Sequence, residues 1–251
     1  INPALPTWRK GRRKLFLLVY QKMILVQLKA VLLDLDGTLV DTAPDLVAVL
    51  NIMLKENGQD AVPYAIARNV VSEGALGLLR LGFGSNLSVA EEETLRNQFL
   101  DLYLTHRPIK SIIFNGLYNI LNVLYENKIF WGIVTNKPEN MTFPLLKSLG
   151  IYERATSIVS GDRLSERKPH PAPLLLAAKE VGAKPNQCVY VGDARRDIVA
   201  GQAAGMHTIT AAYGYIPPSE DTSNWGADCI IRRPVDLTQA LQELDSSERY
   251  S

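Results

Sequence analysis

The sequence predicts an α/β fold with a parallel sheet, because short apolar runs that end in polar or charged residues alternate with helical patterns. The runs are Val31-Leu32-Leu33, Ile129-Phe130-Trp131-Gly132-Ile133-Val134 and Cys188-Val189-Tyr190-Val191, with the composition of strands buried on both faces. A third observation is the stretch from about residue 45 to His106, where helical periodicity continues without a convincing buried strand. A helical insertion therefore interrupts the α/β pattern, which resumes near Phe114-Asn115-Gly116.

The first run leads into Asp34-Leu35-Asp36-Gly37-Thr38, and Gly37-Thr38 marks where the chain leaves the strand. Both carboxylates thus lie at a strand's carboxyl end, where open α/β sheets bind their ligands. Alternate side chains of an extended segment share a side, so Asp34 and Asp36 can face one pocket while Leu35 points into apolar packing. Two carboxylates that close repel unless a cation or a shared proton holds them, so the pair predicts a metal. The alternative is a solvated turn with locally hydrogen-bonded aspartates.

Beyond Thr42, Ala43-Pro44-Asp45-Leu46 opens a helical pattern with proline near its start. Within the insertion, Ser72-Glu73-Gly74 is either a substrate loop, since glycine permits close backbone approach, or a plain turn between helices. The second apolar run ends in Thr135-Asn136-Lys137-Pro138. A hydroxyl and successive backbone N–H groups there can bind phosphate oxygens, or Thr135 and Asn136 can simply cap a helix. Arg167-Lys168-Pro169-His170-Pro171 follows, and its prolines hold Lys168 in a rigid segment from which the ammonium can be aimed. His170 either touches a ligand or sits on an exposed loop. The third run ends in Gly192-Asp193-Ala194-Arg195-Arg196-Asp197, before a helical pattern over residues 198–205. Asp193 and Asp197 are four apart, so a helix starting near Ala194 brings their carboxylates to one side of its first turn. Their oxygens suit Mg²⁺, while a first-turn charge favoured by the helix dipole is the other reading of Asp197. Of the adjacent Arg195 and Arg196, at least one faces solvent, because neighbouring helix residues point in different directions.

Taken in order, these motifs resemble those of the haloacid dehalogenase-like superfamily of phosphohydrolases: an aspartate pair before Gly-Thr, then a Thr, a Lys, and an aspartate pair after Gly. The resemblance spans about residues 28–232. It implies a Rossmann-like three-layer core formed by residues 23–44 and 113–251, with an inserted α-helical cap over residues 45–112. It implies Asp34 as nucleophile, Asp36 as general acid and then base, and Thr135, Asn136 and Lys168 as phosphate-binding residues. It also implies Mg²⁺ at Asp34, Asp36, Asp193 and Asp197, with Asp36 contributing its backbone carbonyl and Asp197 supporting or ligating. Ser72, Glu73 and Gly74 are then candidates for reading the substrate. The complete set of acidic residues and Lys168 argues against a dehalogenase, which needs no metal site, and against a phosphate sensor without catalysis. A phosphomutase of the same superfamily would keep every one of these residues.

Composition adds limits. With 47% hydrophobic residues in 251, the chain can bury a substantial core, and its two cysteines lack metal-ligand spacing, so a reduced cytoplasmic setting is expected. Residues 1–22 carry six basic residues and no acid, so the chain's net +1 less these six leaves −5 for residues 23–251. An acidic body argues against a nucleic-acid surface. The apolar run Leu15-Phe16-Leu17-Leu18-Val19-Tyr20 is shorter than an export core, and no stretch reaches the roughly 20 residues that span a bilayer. We therefore expect no membrane partner, a basic extension over residues 1–22 outside the fold, and a chain able to start at Met23. A small phosphorylated metabolite is the expected ligand.

The subgroup with this kind of cap includes phosphoglycolate phosphatases. Four further stretches look closer to bacterial N-acetylmuramic acid 6-phosphate phosphatases of cell-wall recycling: Val71-Ser72-Glu73-Gly74-Ala75, Thr142-Phe143-Pro144-Leu145-Leu146, Gly214-Tyr215-Ile216-Pro217 and Trp225-Gly226-Ala227-Asp228. The resemblance leans to the sugar phosphate, with phosphoglycolate as the alternative.

Overall fold

The computed structural model describes Leu25, residues 27–106 and residues 110–247. The expectations for residues 1–22 and Met23 lie outside the described residues. Six strands form one parallel sheet in the order β5 (Ser157–Val159), β4 (Phe130–Val134), β1 (Ala30–Leu33), β6 (Cys188–Gly192), β7 (His207–Ala211) and β8 (Cys229–Ile231). Chain order runs outward from β1 in both directions, so a crevice opens at its carboxyl end. All four residues of β1 are fully buried. At about 1.5–3 kcal/mol for each large aliphatic side chain removed from water, burial outweighs the roughly 1 kcal/mol span of strand propensity in holding so short a strand.

Helices follow in chain order as α1 (Ala43–Glu56), α2 (Tyr64–Ala67), α3 (Gly74–Phe83), α4 (Val89–His106), α5 (Leu117–Glu126), α6 (Glu139–Ser148), α7 (Ala172–Glu180), α8 (Arg195–Ala203) and α9 (Leu237–Ser247). The two faces of the sheet take alternate strand residues. Val31, Leu33, Trp131, Ile133, Val189 and Val191 pack with apolar residues of α5, α6 and α9. Ala30, Leu32, Val134 and Tyr190 pack with those of α7 and α8. The result is the three-layer Rossmann-like core that the sequence implied, with apolar strands because both faces are covered.

The first four helices form the insertion, with a core of their own. Phe99 and Tyr103, four apart on α4, are buried with Leu46, Leu50, Met53 and Leu54 of α1 and Leu78 and Leu79 of α3. At its base, β2 (Val40–Asp41) and β3 (Ile112–Ile113) pair antiparallel. The sequence reading contained no such ribbon, because a two-residue strand is too short to show alternation. The helix considered from near Ala194 starts there: α8 begins at Arg195, where Asp197 accepts the Ala194 N–H at 3.0 Å and closes the first turn. Among the described residues, no helix is long and apolar enough to cross a membrane.

Candidate active site

Three adjacent strands deliver polar residues into the crevice. Asp34 directly follows β1, Thr135 follows β4 and Asp193 follows β6, and the parallel register brings these strand ends level. The Asp34 N–H donates to the Val191 carbonyl at 2.9 Å and that of Thr135 to Val159 at 2.9 Å, so the sheet ladder itself fixes both backbones. Asp197 joins from the first turn of α8. Asp34, Asp193 and Asp197 each offer an oxygen within 4.8 Å of the others, and all three are at most 3% exposed. Gly37 completes the cradle: its φ is +83°, and a side chain there would collide with the Asp193 carboxylate.

Lys168 enters from the loop before α7 and is buried. Its Nζ lies 2.8 Å from Asp34 Oδ1 and 2.8 Å from Asp197 Oδ1, and donates to the Val134 carbonyl at 2.9 Å and the Tyr190 hydroxyl at 2.8 Å. Burial alone would lower this ammonium's pKa, but Asp197 and Asp34 more than offset it, so it is held above the usual lysine value. The backbone is aimed by Asn136, whose Nδ2 donates to the Lys168 carbonyl at 3.0 Å and whose Oδ1 accepts the Lys168 N–H at 3.1 Å. Helix capping is thereby excluded for Thr135 and Asn136, since α6 starts after Pro138 without a side-chain cap.

The cluster fits a divalent cation. Burial pushes Asp34 up to about 6, despite Lys168 opposing the shift, and burial with Asp34 and Asp197 pushes Asp193 up to about 7. Three carboxylates thus hold more negative charge than the surrounding cations neutralise. Asp34 Oδ1 touches the Lys168 ammonium yet has no properly directed hydrogen bond. A buried, under-coordinated set of carboxylate oxygens is what Mg²⁺ takes.

The carboxylate of Asp36 lies outside this cluster, and the metal contribution expected of Asp36 was through its backbone carbonyl. Asp36 Oδ1 instead accepts from Thr42 Oγ1 at 2.6 Å and from Lys137 Nζ at 3.0 Å. The physical reason is that a full-charge partner was available: Lys137 is buried, and its Nζ also lies 4.7 Å from the ring centroid of Tyr103 on α4. Lys137 sits in the bend that follows β4, where its N–H donates to Thr135 Oγ1 at 3.1 Å.

The insertion reaches the cluster through its 3₁₀ segment Arg68–Glu73. Ser72 Oγ donates to Asp193 Oδ2 at 2.8 Å, whereas Glu73 and Gly74 are exposed. Arg68 donates to the carbonyls of Gly214 at 3.0 Å and Tyr213 at 3.2 Å, with its guanidinium 4.9 Å from the Tyr215 ring centroid. Tyr215 binds both bodies: its N–H donates to Asp193 Oδ2 at 2.8 Å, and its hydroxyl accepts from the N–H groups of Thr42 and Ala43 at the start of α1. Of the two arginines, Arg195 is exposed and Arg196 donates to the Ser72 carbonyl. His170 is an exposed loop residue, with Nδ1 accepting the Ala172 N–H at 3.2 Å. Tyr190 and Tyr215 had no identifiable site role in the sequence, because one reads as strand apolarity and the other as a loop aromatic.

Comparison with known proteins gives the same picture. The sequence model described as haloacid dehalogenase-like hydrolase matches residues 31–211. An N-acetylmuramic acid 6-phosphate phosphatase of Pseudomonas aeruginosa is 40% identical over 216 residues, covering 86% of this chain and 96% of the relative. A phosphoglycolate phosphatase of Xanthomonas campestris pv. campestris is 43% identical over 209 residues, covering 83% and 94%. The crystal structure of a predicted phosphoglycolate phosphatase from Haemophilus somnus 129pt superposes with a TM-score of 0.74 at 27% identity, covering 86% of this chain and 98% of that one. With the strand-end aspartates, the buried lysine and the helical insertion all in place, the chain belongs to the haloacid dehalogenase-like hydrolase family.

Proposed function

We propose that this protein is a Mg²⁺-dependent phosphomonoester hydrolase that works through an aspartyl phosphate on Asp34, with N-acetylmuramic acid 6-phosphate as substrate. The observation that carries the reading is the convergence of Asp34, Asp193, Asp197 and Lys168 in one buried cluster at the sheet's ligand-binding edge.

In the first step an Asp34 carboxylate oxygen attacks phosphorus as the bond to the ester oxygen breaks, and the Asp36 proton goes to that departing oxygen. In the second, water attacks the phosphoryl group, the Asp36 carboxylate takes its proton, and the bond to Asp34 breaks to release phosphate. Thr42 and Lys137 both hold Asp36 Oδ1, leaving Oδ2 as the oxygen that exchanges the proton. Thr135, the Asn136 N–H and Lys168 bind the phosphoryl oxygens, and the helical insertion acts as a cap that excludes water. The carboxylates of Asp34 and Asp193 and the Asp36 carbonyl, with Asp197 in support, would hold Mg²⁺, which would supply positive charge against the phosphoryl oxygens. Both cysteines are free thiols, which supports a cytoplasmic setting.

Two measurements bear on this reading. Mg²⁺ at a hundred times its Kd should stabilise the chelator-treated protein by about 2.7 kcal/mol, a rise in Tm of roughly 5–11 °C. Thermal melts that ignore Mg²⁺ would remove the metal. The substrate is tested by kcat/KM across N-acetylmuramic acid 6-phosphate, 2-phosphoglycolate and simple hexose phosphates. Three of the four stretches that favour the sugar phosphate meet around the site: Ser72 and Tyr215 both bond Asp193, and Thr142 Oγ1 donates to the Lys137 carbonyl at 3.2 Å. The 43% identical relative favours phosphoglycolate as the second reading. A hundredfold preference for phosphoglycolate, about 2.7 kcal/mol of transition-state binding, would overturn the first.

A further inference from the structure

The hydroxyl of Ser72, a candidate for reading substrate, reaches the carboxylate cluster. It donates at 2.8 Å to Asp193 Oδ2, an oxygen that also receives the Tyr215 N–H at 2.8 Å. That oxygen is occupied by two donors. Asp193 Oδ1, by contrast, has only a long contact of 3.4 Å from the Thr38 hydroxyl. One oxygen of the carboxylate is thus firmly held, and the residue offers an oxygen to the cluster with Asp34 and Asp197.

Ser72 is itself held in register from both sides. Arg196, the residue before Asp197, donates to its carbonyl. Arg68, at the start of the same 3₁₀ segment, grips the carbonyls of Tyr213 and Gly214, next to the N–H that bonds Asp193. The segment thus lands on the metal carboxylate, on its supporting loop and on the helix that carries the third aspartate.

We propose that Ser72 is a positioning residue for the metal site, supplied to Asp193 by the helical insertion, so that seating the insertion and binding Mg²⁺ favour one another. The inference rests on the assignment of Mg²⁺ to Asp34 and Asp193 given above. Its physical basis is that hydrogen bonds to a ligating carboxylate fix its rotamer and its anionic form, and loss of such a partner typically weakens metal binding by roughly 10–100-fold. Linkage makes the effect reciprocal: whatever the seated segment adds to Mg²⁺ affinity, Mg²⁺ returns to the seated segment.

The test is calorimetric titration of the chelator-treated full chain with Mg²⁺ alone, comparing wild type, Ser72→Ala and Ser72→Thr. The alanine variant should bind at least about tenfold more weakly, and the threonine variant, which keeps the hydroxyl, should stay within about threefold of wild type. In parallel, Mg²⁺ should slow amide exchange over residues 68–73 in wild type and lose most of that effect in Ser72→Ala. Equal Mg²⁺ affinity in wild type and Ser72→Ala overturns the proposal. So does equal weakening by alanine and threonine, which would trace the change to disturbance of the segment rather than loss of the donor. A wild type that binds no Mg²⁺ would instead refute the metal assignment itself, which separates the two failures.

Discussion

Asp34→Asn should release no phosphate above background while melting at or above the wild-type temperature. The amide occupies nearly the same volume as the carboxylate but is a poor nucleophile, so the covalent route closes. Loss of a covalent catalyst's nucleophile costs on the order of 10⁴-fold or more in kcat. The stability half of the result comes from the same residue's surroundings. Burial pushes Asp34 from 3.8 in the unfolded chain to about 6 in the folded metal-free protein, so ionising it opposes folding. That penalty is absent below about 3.8, grows as the pH rises through the window, and is complete above about 6. At neutral pH the amide removes it, so the variant should be inactive and no less stable. Phosphate-release assays and thermal melts in chelator read the two halves separately. Turnover near the wild-type level would remove Asp34 from its role, and a large drop in Tm would mean that the carboxylate is structural.

The sequence exposed the parts of this site that follow from chain order. Asp34, Thr135 and Asp193 were legible because each comes directly after an apolar run, and a parallel sheet brings such positions together whatever their separation in sequence. Asp197 was legible as an acidic residue in the first turn of the helix that begins just after Asp193. What stayed hidden were the partners chosen by tertiary packing. Asn136 was a candidate for phosphate through its N–H, while nothing in the sequence marked that its side chain clasps the Lys168 backbone. Lys137 stood in plain view beside Thr135, but only the arrival of α4 shows why a buried ammonium is tolerated there: Tyr103 covers it and Asp36 neutralises it. Tyr190 read as one more apolar strand residue, since nothing local marks that its hydroxyl ends on Lys168. The same limit explains Ser72. Its loop was recognisable as a place of close approach, while its target, Asp193, belongs to an element that only the folded chain brings near.

Lys168→Met should cost activity and stability together, and should make the protein lean on Mg²⁺ more heavily than wild type does. The ammonium is within 2.8 Å of both Asp34 and Asp197, and methionine fills much of its volume without its charge. Removing one member of a buried ion pair leaves the other charge unpaired, which typically costs roughly 3–5 kcal/mol and here corresponds to a Tm lower by roughly 6–20 °C. Three buried carboxylates then face a more negative local potential. A cation entering that site is attracted more strongly than in wild type, so the Tm gain on adding saturating Mg²⁺ should be larger in the variant, even though turnover is lost with the phosphate-binding charge. Each competing explanation lacks one of these two effects. If Lys168 were only a packing residue, melting would fall with no change in the response to Mg²⁺. If it were only a phosphate ligand, melting in chelator would stay near wild type, because nothing in the resting cluster would depend on it. Lower melting in chelator combined with a larger Mg²⁺ response is the result expected of a lysine that shares its carboxylates with a metal.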